Sequence, residues 1–254
     1  MIVQIYEIQT PAEAADMIAL GVDHIGSVIV DRQAWRQPLV KETVDEVRLA
    51  GRISTLIPLF SDLTTLFKLL DHYRPHVLHF CEALSLAGRG RDRCRQLADR
   101  QAQIKHRFPE VALMRSIPIA RDDRNRSDPP SALAALFEPV TDWFLTDTVL
   151  GGGAGGSREP VAGFVGITGQ TCSWQQARQL VSDCRLPVIL AGGLDPGNVG
   201  EAICAVKPAG VDSCTGTNAR SGGGEPIRFK KDLKRVATFV DAARTAARQF
   251  EPTI

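Results

Sequence analysis

The chain has 254 residues, 44% of them hydrophobic and 23% charged, with a formal net charge of +1 at neutral pH. These proportions exclude a disordered, collagen-like or coiled-coil chain. The near-neutral balance excludes whole-molecule attraction to nucleic acid or anionic lipid, so any anion site has to be local. The six cysteines, Cys81, Cys94, Cys172, Cys184, Cys204 and Cys214, form no CxxC pair and follow no secretory leader. They read as reduced thiols of a cytoplasmic protein rather than as a disulfide or zinc framework. No segment reaches the roughly 18 uninterrupted apolar residues of a membrane span. Neither membrane nor metal nor cofactor is expected.

Short β-type runs alternate with amphipathic helical stretches along the chain, the pattern of a parallel sheet with crossover helices. Strands are expected at Ile2–Ile8, His24–Val30, Ile53–Phe60, His76–Phe80, Ala112–Ile119, Trp143–Asp147, Pro187–Ala191 and Gly210–Ser213. Helices fit between them at Pro11–Gly21, Leu39–Ala50, Asp62–His72, Asp92–Phe108, Ser131–Pro139, Trp174–Cys184 and Asn198–Val206, and a last one runs from Ile227 to Phe250. In the first, Thr10 stands as N-cap before Pro11 and Gly21 as C-cap.

Each strand precedes a helix, no hairpin signal such as Asn-Gly intervenes, and the turn after the first strand, Glu7-Ile8-Gln9-Thr10, has no glycine. That order favours a closed barrel over an open doubly wound sheet, which carries its glycine-rich turn there. The expected fold is a single (β/α)8 barrel spanning residues 1–254, with enlarged loops on its C-terminal face around Ala83–Arg91, Arg121–Pro130 and Val149–Val165. The basic stretch Arg89–Arg126, eleven Lys/Arg against five Asp/Glu, lacks interleaved aromatics and reads as solvated helix and loop faces, not a nucleic-acid surface.

Glycine concentrates late, at Gly151–Gly156, Gly192-Gly193, Gly216 and Gly222–Gly224. In a barrel these loops open on the C-terminal face, where active sites of this fold sit. Loops after the seventh and eighth strands can bring backbone N–H groups to a phosphate without Cβ obstruction. The nearby helix N-terminus also favours negative charge there.

The segments Leu190-Ala-Gly-Gly-Leu-Asp-Pro-Gly-Asn-Val199, Gly210-Val-Asp-Ser-Cys-Thr-Gly216, Lys231-Asp232 with Phe239, Leu78-His79-Phe-Cys-Glu82, Leu145-Thr-Asp-Thr148 and Thr168-Gly169 with Trp174 together resemble the phosphoribosylanthranilate isomerase family. The resemblance implies an Amadori-type aldose–ketose isomerisation of a phosphoribosylated amine, within tryptophan biosynthesis if the substrate is retained. It places the substrate phosphate on Gly192, Gly193, Thr215 and Gly216. It makes Asp147 the general acid, and burial at a strand end suits that role by raising a carboxyl's pKa. Arg36 falls where the family holds the anthranilate carboxylate, a task suited to a planar guanidinium. His79, on the fourth strand, is a substrate-lining candidate.

The family's general-base cysteine at the end of the first strand is replaced here by Tyr6, followed by Glu7. An unperturbed tyrosine keeps its proton to about pH 10. Strand alternation points Glu7 to the opposite side unless the strand bulges. Tyr6 and Glu7 are therefore the candidates at the base position. Three readings remain open: an isomerase with another base, Glu7 or a residue of the long loop after the sixth strand; a diverged barrel acting on another phosphorylated small molecule as a lyase or epimerase; and a non-catalytic phosphometabolite-binding protein. The partner is in each case a phosphorylated small molecule, and the assembly a monomer or homodimer.

Overall fold

The computed structural model describes residues 1–121, 128–149 and 163–250. Eight parallel strands close on themselves in chain order: β1 (Ile2–Ile5), β2 (His24–Ile29), β3 (Ile53–Pro58), β4 (Val77–Phe80), β5 (Ala112–Ala120), β6 (Trp143–Val149), β7 (Val188–Leu190) and β8 (Gly210–Ser213), with β8 returning to pair with β1. The helices α1 (Pro11–Ala19), α2 (Pro38–Leu49), α3 (Leu63–Tyr73), α4 (Gly90–Arg107), α5 (Pro130–Phe137), α6 (Trp174–Asp183), α7 (Val199–Val206) and α8 (Leu233–Arg248) connect them. The (β/α)8 barrel is thus the architecture of the described residues. Among them, no helix is long and apolar enough to cross a membrane.

Local chemistry sets the element ends. The Thr10 hydroxyl accepts from the Glu13 amide and the Glu13 carboxylate accepts from the Gln9 amide, a reciprocal cap on α1. Gly21 beyond that helix takes φ +80, as expected of a glycine that ends a helix. Asp62, Ser173 and Asp232 cap α3, α6 and α8 in the same way. The large apolar cluster lies between strands and helices, with Ile5, Ile117, Phe144, Leu190 and Val211 packing against α1, α7 and α8 residues such as Met17, Ile203 and Phe239.

The last helix starts later than expected. Pro226–Lys231 forms a strand (β10) paired antiparallel with Asn218–Arg220 (β9), and α8 begins only after the Asp232 cap. The Ser221 amide bonds the Glu225 carbonyl at 2.8 Å across the Gly222–Gly224 loop, and Gly224 takes φ +85. The glycines that precede the helix therefore make a hairpin, in which Ile227 and Phe229 alternate as strand residues. The glycine-rich run Gly151–Gly156, with Arg158 and Glu159, lies outside the described residues, as does most of the loop after β5.

One charge pair is buried outside the barrel wall. Arg115, fully buried on β5, donates to Glu82, itself only 3% exposed, and to Gln101 of α4. Its guanidinium lies 4.9 Å from the Phe80 ring centroid and 4.8 Å from that of Phe137. Gln101 in turn donates to Thr141 Oγ1 at 2.7 Å. Removing one partner strands the other charge in a dry site. Glu82→Ala is therefore expected to cost about 3–5 kcal/mol in urea denaturation, and the paired change Glu82→Leu with Arg115→Met much less. Equal losses for the two variants would contradict this account of the pair.

Candidate active site

A cavity opens at the C-terminal ends of the strands, and Tyr6, Glu7, His79, Asp147, Gly192, Gly193, Thr215 and Gly216 all line it. Arg36 does not. Its guanidinium stacks 4.7 Å from the centroid of Trp35, whose own ring packs against His72 and Tyr73 of α3. The loop after β2 is pinned there because Tyr73 Oη donates to the Trp35 carbonyl at 2.7 Å and accepts from the Gln37 amide at 2.9 Å. The expectation that Arg36 meets a substrate carboxylate thus finds it outside the cavity wall.

On the β7–β8 side three loops pack so closely that side chains are excluded. A Cβ on Gly192 would meet Thr148 Oγ1, one on Gly193 the Gln170 backbone, and one on Gly216 the Leu194 carbonyl. Gly192 and Gly193 also take φ +98 and +58. These glycines therefore answer both to a backbone conformation that side chains disfavour and to a close approach. Leu194, Thr215 and the stretch Gly166–Gly169 complete this wall. Ile167 within it has φ +58, a strained state for a β-branched residue and one that concentrates at ligand sites.

The opposite side is roofed by the returning arm of the β6–α6 loop. The Ala83 amide bonds the Gly163 carbonyl and the Val165 amide bonds the Cys81 carbonyl, each at 2.8 Å. Phe164 and Val165 there join Val28, Leu59 and Cys81 in an apolar cluster.

Tyr6 projects into the barrel. Its hydroxyl lies 2.7 Å from His79 Nδ1, and His79 Nε2 lies 2.9 Å from Ser116 Oγ. The phenol ring lies where a Cβ on residue 26 would be, so Gly26 on β2 clears its space. Burial drives the Tyr6 pKa well up. Burial, followed by the Arg115 charge, lowers that of His79 to about 3. Both groups are neutral in the working range, and the imidazole donates through one nitrogen and accepts through the other.

Glu7 reaches the cavity wall because β1 ends at Ile5 and residue 7 turns to φ +64, which breaks the alternation that would have sent it outward. Its Oε1 meets Arg228 Nη2 at 2.6 Å and Nε at 2.8 Å, while Oε2 accepts from the Phe229 amide at 3.2 Å and Asn218 Nδ2 at 3.4 Å. Burial pulls this carboxyl upward, but Arg228, Lys231 and the Phe229 amide outweigh it and hold it below its ordinary value. The β9–β10 hairpin, which the sequence did not reveal, thus supplies Arg228, Phe229 and Asn218 as partners of Glu7, and the carboxylate acts as its tether.

Two carboxyls on the cavity floor behave differently. Asp147, near the end of β6, accepts from the Thr148 amide at 2.9 Å, and burial raises its pKa to about 7. Asp212 on β8, not singled out from the sequence, accepts from Gln4 Nε2 at 3.1 Å. It too is raised to about 7, first by burial and then, against the Gln4 bond, by Asp147. The available signal was an acid within a four-residue strand, Gly210-Val-Asp-Ser213, on the inward-facing row with Cys214. Among the described residues no cluster of three or more His, Cys, Asp or Glu could hold a metal ion.

Fold and site together define a (β/α)8 barrel with a glycine-lined loop wall facing two carboxyls whose pKa values are raised to about 7. Residues 131–242 match the family described as N-(5'phosphoribosyl)anthranilate (PRA) isomerase. The N-(5'-phosphoribosyl)anthranilate isomerase of Methanocella arvoryzae is 35% identical over 141 residues, 56% of this chain and 54% of that protein. The chain spans about half the length of the curated relatives it matches. The crystal structure of phosphoribosyl anthranilate isomerase from Thermotoga maritima aligns with a TM-score of 0.64 at 18% identity, over 96% of this chain and 100% of that one. A phosphoribosyl anthranilate isomerase in complex with reduced 1-(o-carboxyphenylamino)-1-deoxyribulose 5-phosphate aligns with a TM-score of 0.60 at 16% identity, over 96% and 100% of the two chains. Over residues 131–242 the chain is therefore similar to the phosphoribosylanthranilate isomerase family.

The buried carboxyls make stability depend on pH. A carboxyl raised from 3.8 to about 7 gives its full stability below pH 4 and loses it as pH climbs through 7. His24 and His79, lowered to about 4 and about 3, work the other way: their contribution is complete above pH 6.5 and falls as pH drops through those values. Replacing Asp147 and Asp212 together by Asn is expected to remove the alkaline loss, stabilising the protein at pH 8 by on the order of a few kcal/mol, while leaving the acid-side loss. Urea midpoints between pH 4 and 8 measure this, and an unchanged alkaline slope would contradict it.

Proposed function

We propose that the chain catalyses the Amadori-type isomerisation of N-(5'-phosphoribosyl)anthranilate to the corresponding 1-amino-1-deoxyribulose 5-phosphate, a step of tryptophan biosynthesis. The observation that carries this reading is the placement of one proton-retaining carboxyl, Asp147, and one glycine cradle, Gly192, Gly193, Thr215 and Gly216, around a single cavity. Similarity to the phosphoribosylanthranilate isomerase family over residues 131–242 supplies the reaction class.

In this reading the phosphate rests on the β7 and β8 loops, held by backbone amides and by the Thr215 hydroxyl, and the sugar lies over the barrel floor. Asp147, kept protonated near neutrality by burial, donates to the ribose ring oxygen. The C1–O bond breaks as the amine lone pair forms C1=N. Loss of the C2 proton then gives the enolamine, which becomes the ketone as C1 gains a proton and the C2 hydroxyl loses one. The apolar roof of Phe164 and Val165 keeps water from the iminium.

Arg36 outside the cavity wall favours a second reading, in which the same grip and proton chemistry serve a phosphoribosylated amine lacking the anthranilate carboxylate. A panel of phosphoribosylated amines separates the two. Turnover of phosphoribosylanthranilate by the full chain, competitively inhibited by inorganic phosphate, is the expected result, and binding of phosphate without turnover would overturn the isomerase reading. Thr215→Val is expected to raise KM about tenfold with little change in kcat, the worth of one hydrogen bond to a charged group. An unchanged KM would remove Thr215 from the phosphate site.

A further inference from the structure

We propose that Asp212 is the general base of this barrel, taking the C2 proton that the residue at position 6 no longer can. The proposal rests on the isomerase reading above.

The strand register carries the argument. Gln4 on β1 pairs with Asp212 on β8, and Ile5 with Ser213, so Asp212 projects into the barrel from the strand beside the vacated position. It lines the cavity with Asp147, which enters from β6. A sugar held by its phosphate on the loops after β7 and β8 rests between these two strands. One carboxyl then serves its ring oxygen and the other its C2.

The surroundings divide the roles. Asp212 receives a side-chain donor from Gln4 and feels the Lys231 ammonium, both of which favour its carboxylate. Among the described residues Asp147 has the Thr148 amide alone as a donor and so holds its proton more firmly. Gln4 is itself oriented: its Oε1 lies 3.2 Å from His24 Nδ1. Since burial keeps His24 neutral, with a pKa of about 4, its Nδ1–H donates to that oxygen and leaves Nε2 of Gln4 facing Asp212. His24 and Gln4 are thus positioning residues for the base.

The other titratable groups of the cavity are unsuited. Tyr6 and His79 bond each other and are both buried neutral. Glu7 is satisfied on both oxygens by the hairpin. Burial pushes the Cys81 and Cys214 thiols far up.

The proton balance closes without any co-reactant. Asp147 gives a proton to the ring oxygen and recovers one from the C2 hydroxyl as the ketone forms. Asp212 takes the C2 proton, with the C–H electron pair forming C1=C2 and the C=N pair returning to nitrogen, and then delivers a proton to C1. Both carboxyls end as they began.

The test is steady-state turnover of phosphoribosylanthranilate by the full chain as wild type, Asp212→Asn, Asp212→Glu, Gln4→Leu and Cys214→Ser. Asp212→Asn is expected to lower kcat by about a thousandfold with KM within a few fold. Asp212→Glu should recover part of that loss, and Gln4→Leu should move the acidic limb of the kcat/KM profile to higher pH. If wild type turns over but Asp212→Asn stays within tenfold of it, or if Cys214→Ser is the variant that abolishes kcat, the assignment of Asp212 is overturned and the isomerase reading stands. If wild type itself shows no turnover, both fall together. An unmoved acidic limb in Gln4→Leu would overturn the positioning role.

Discussion

Two carboxyls, Asp147 and Asp212, line one cavity floor, and among the described residues no cation bonds either one directly. Burial is what raises each to about 7, and the Asp147 charge pushes Asp212 further in the same direction. Lys231 is engaged with the Cys214 carbonyl at 2.9 Å and with Asn218, so it favours the Asp212 carboxylate without bonding it. A pair that retains one proton at neutral pH supplies an acid and a base together. The rest of the barrel mouth is arranged to keep that floor dry and the substrate fixed above it.

The two sides of the mouth achieve this differently. The β7–β8 side is backbone against backbone, with glycines where any Cβ would collide, and its geometry leaves little freedom for change. The β1–β4 side has been rebuilt. A tyrosine fills the barrel because Gly26 makes room and its hydroxyl joins His79 and Ser116 in a hydrogen-bonded chain. The first strand then breaks, and Glu7 is turned inward and fastened by the β9–β10 hairpin. Proton transfer is thereby moved off the first strand and onto the eighth.

The sequence disclosed what repeats and what is local. Period-2 and period-3.6 patterns located all eight barrel strands and eight helices, and Thr10, Pro11 and Gly21 marked one helix's ends because capping depends only on neighbours. Motif resemblance brought Asp147 and the glycine cradle to one place. What stayed hidden depends on partners far along the chain. Glu7 leaves the strand alternation through a positive φ, and its bonded partners lie more than 200 residues away. Arg36 is drawn off by Trp35, whose position in the loop after β2 is fixed by Tyr73 of α3. The hairpin escaped because β9 has only three residues and its partner strand runs on into an amphipathic helix. Asp212 lies within the Gly210–Gly216 segment, but its weight comes from Gln4 across the β1–β8 seam and from sharing a cavity with Asp147.

The central claim is that one proton resides between Asp147 and Asp212 at neutral pH. Carbon-13 NMR titration of aspartate side chains in the full-length protein, assigned with Asp147→Asn and Asp212→Asn, reads it directly. The account predicts a carboxyl pair that titrates in two separated steps, with one proton still held near pH 7, and a surviving carboxyl that ionises at lower pH when Asp147 is replaced. Two carboxyls both fully ionised by pH 5, indifferent to each other's replacement, would contradict it.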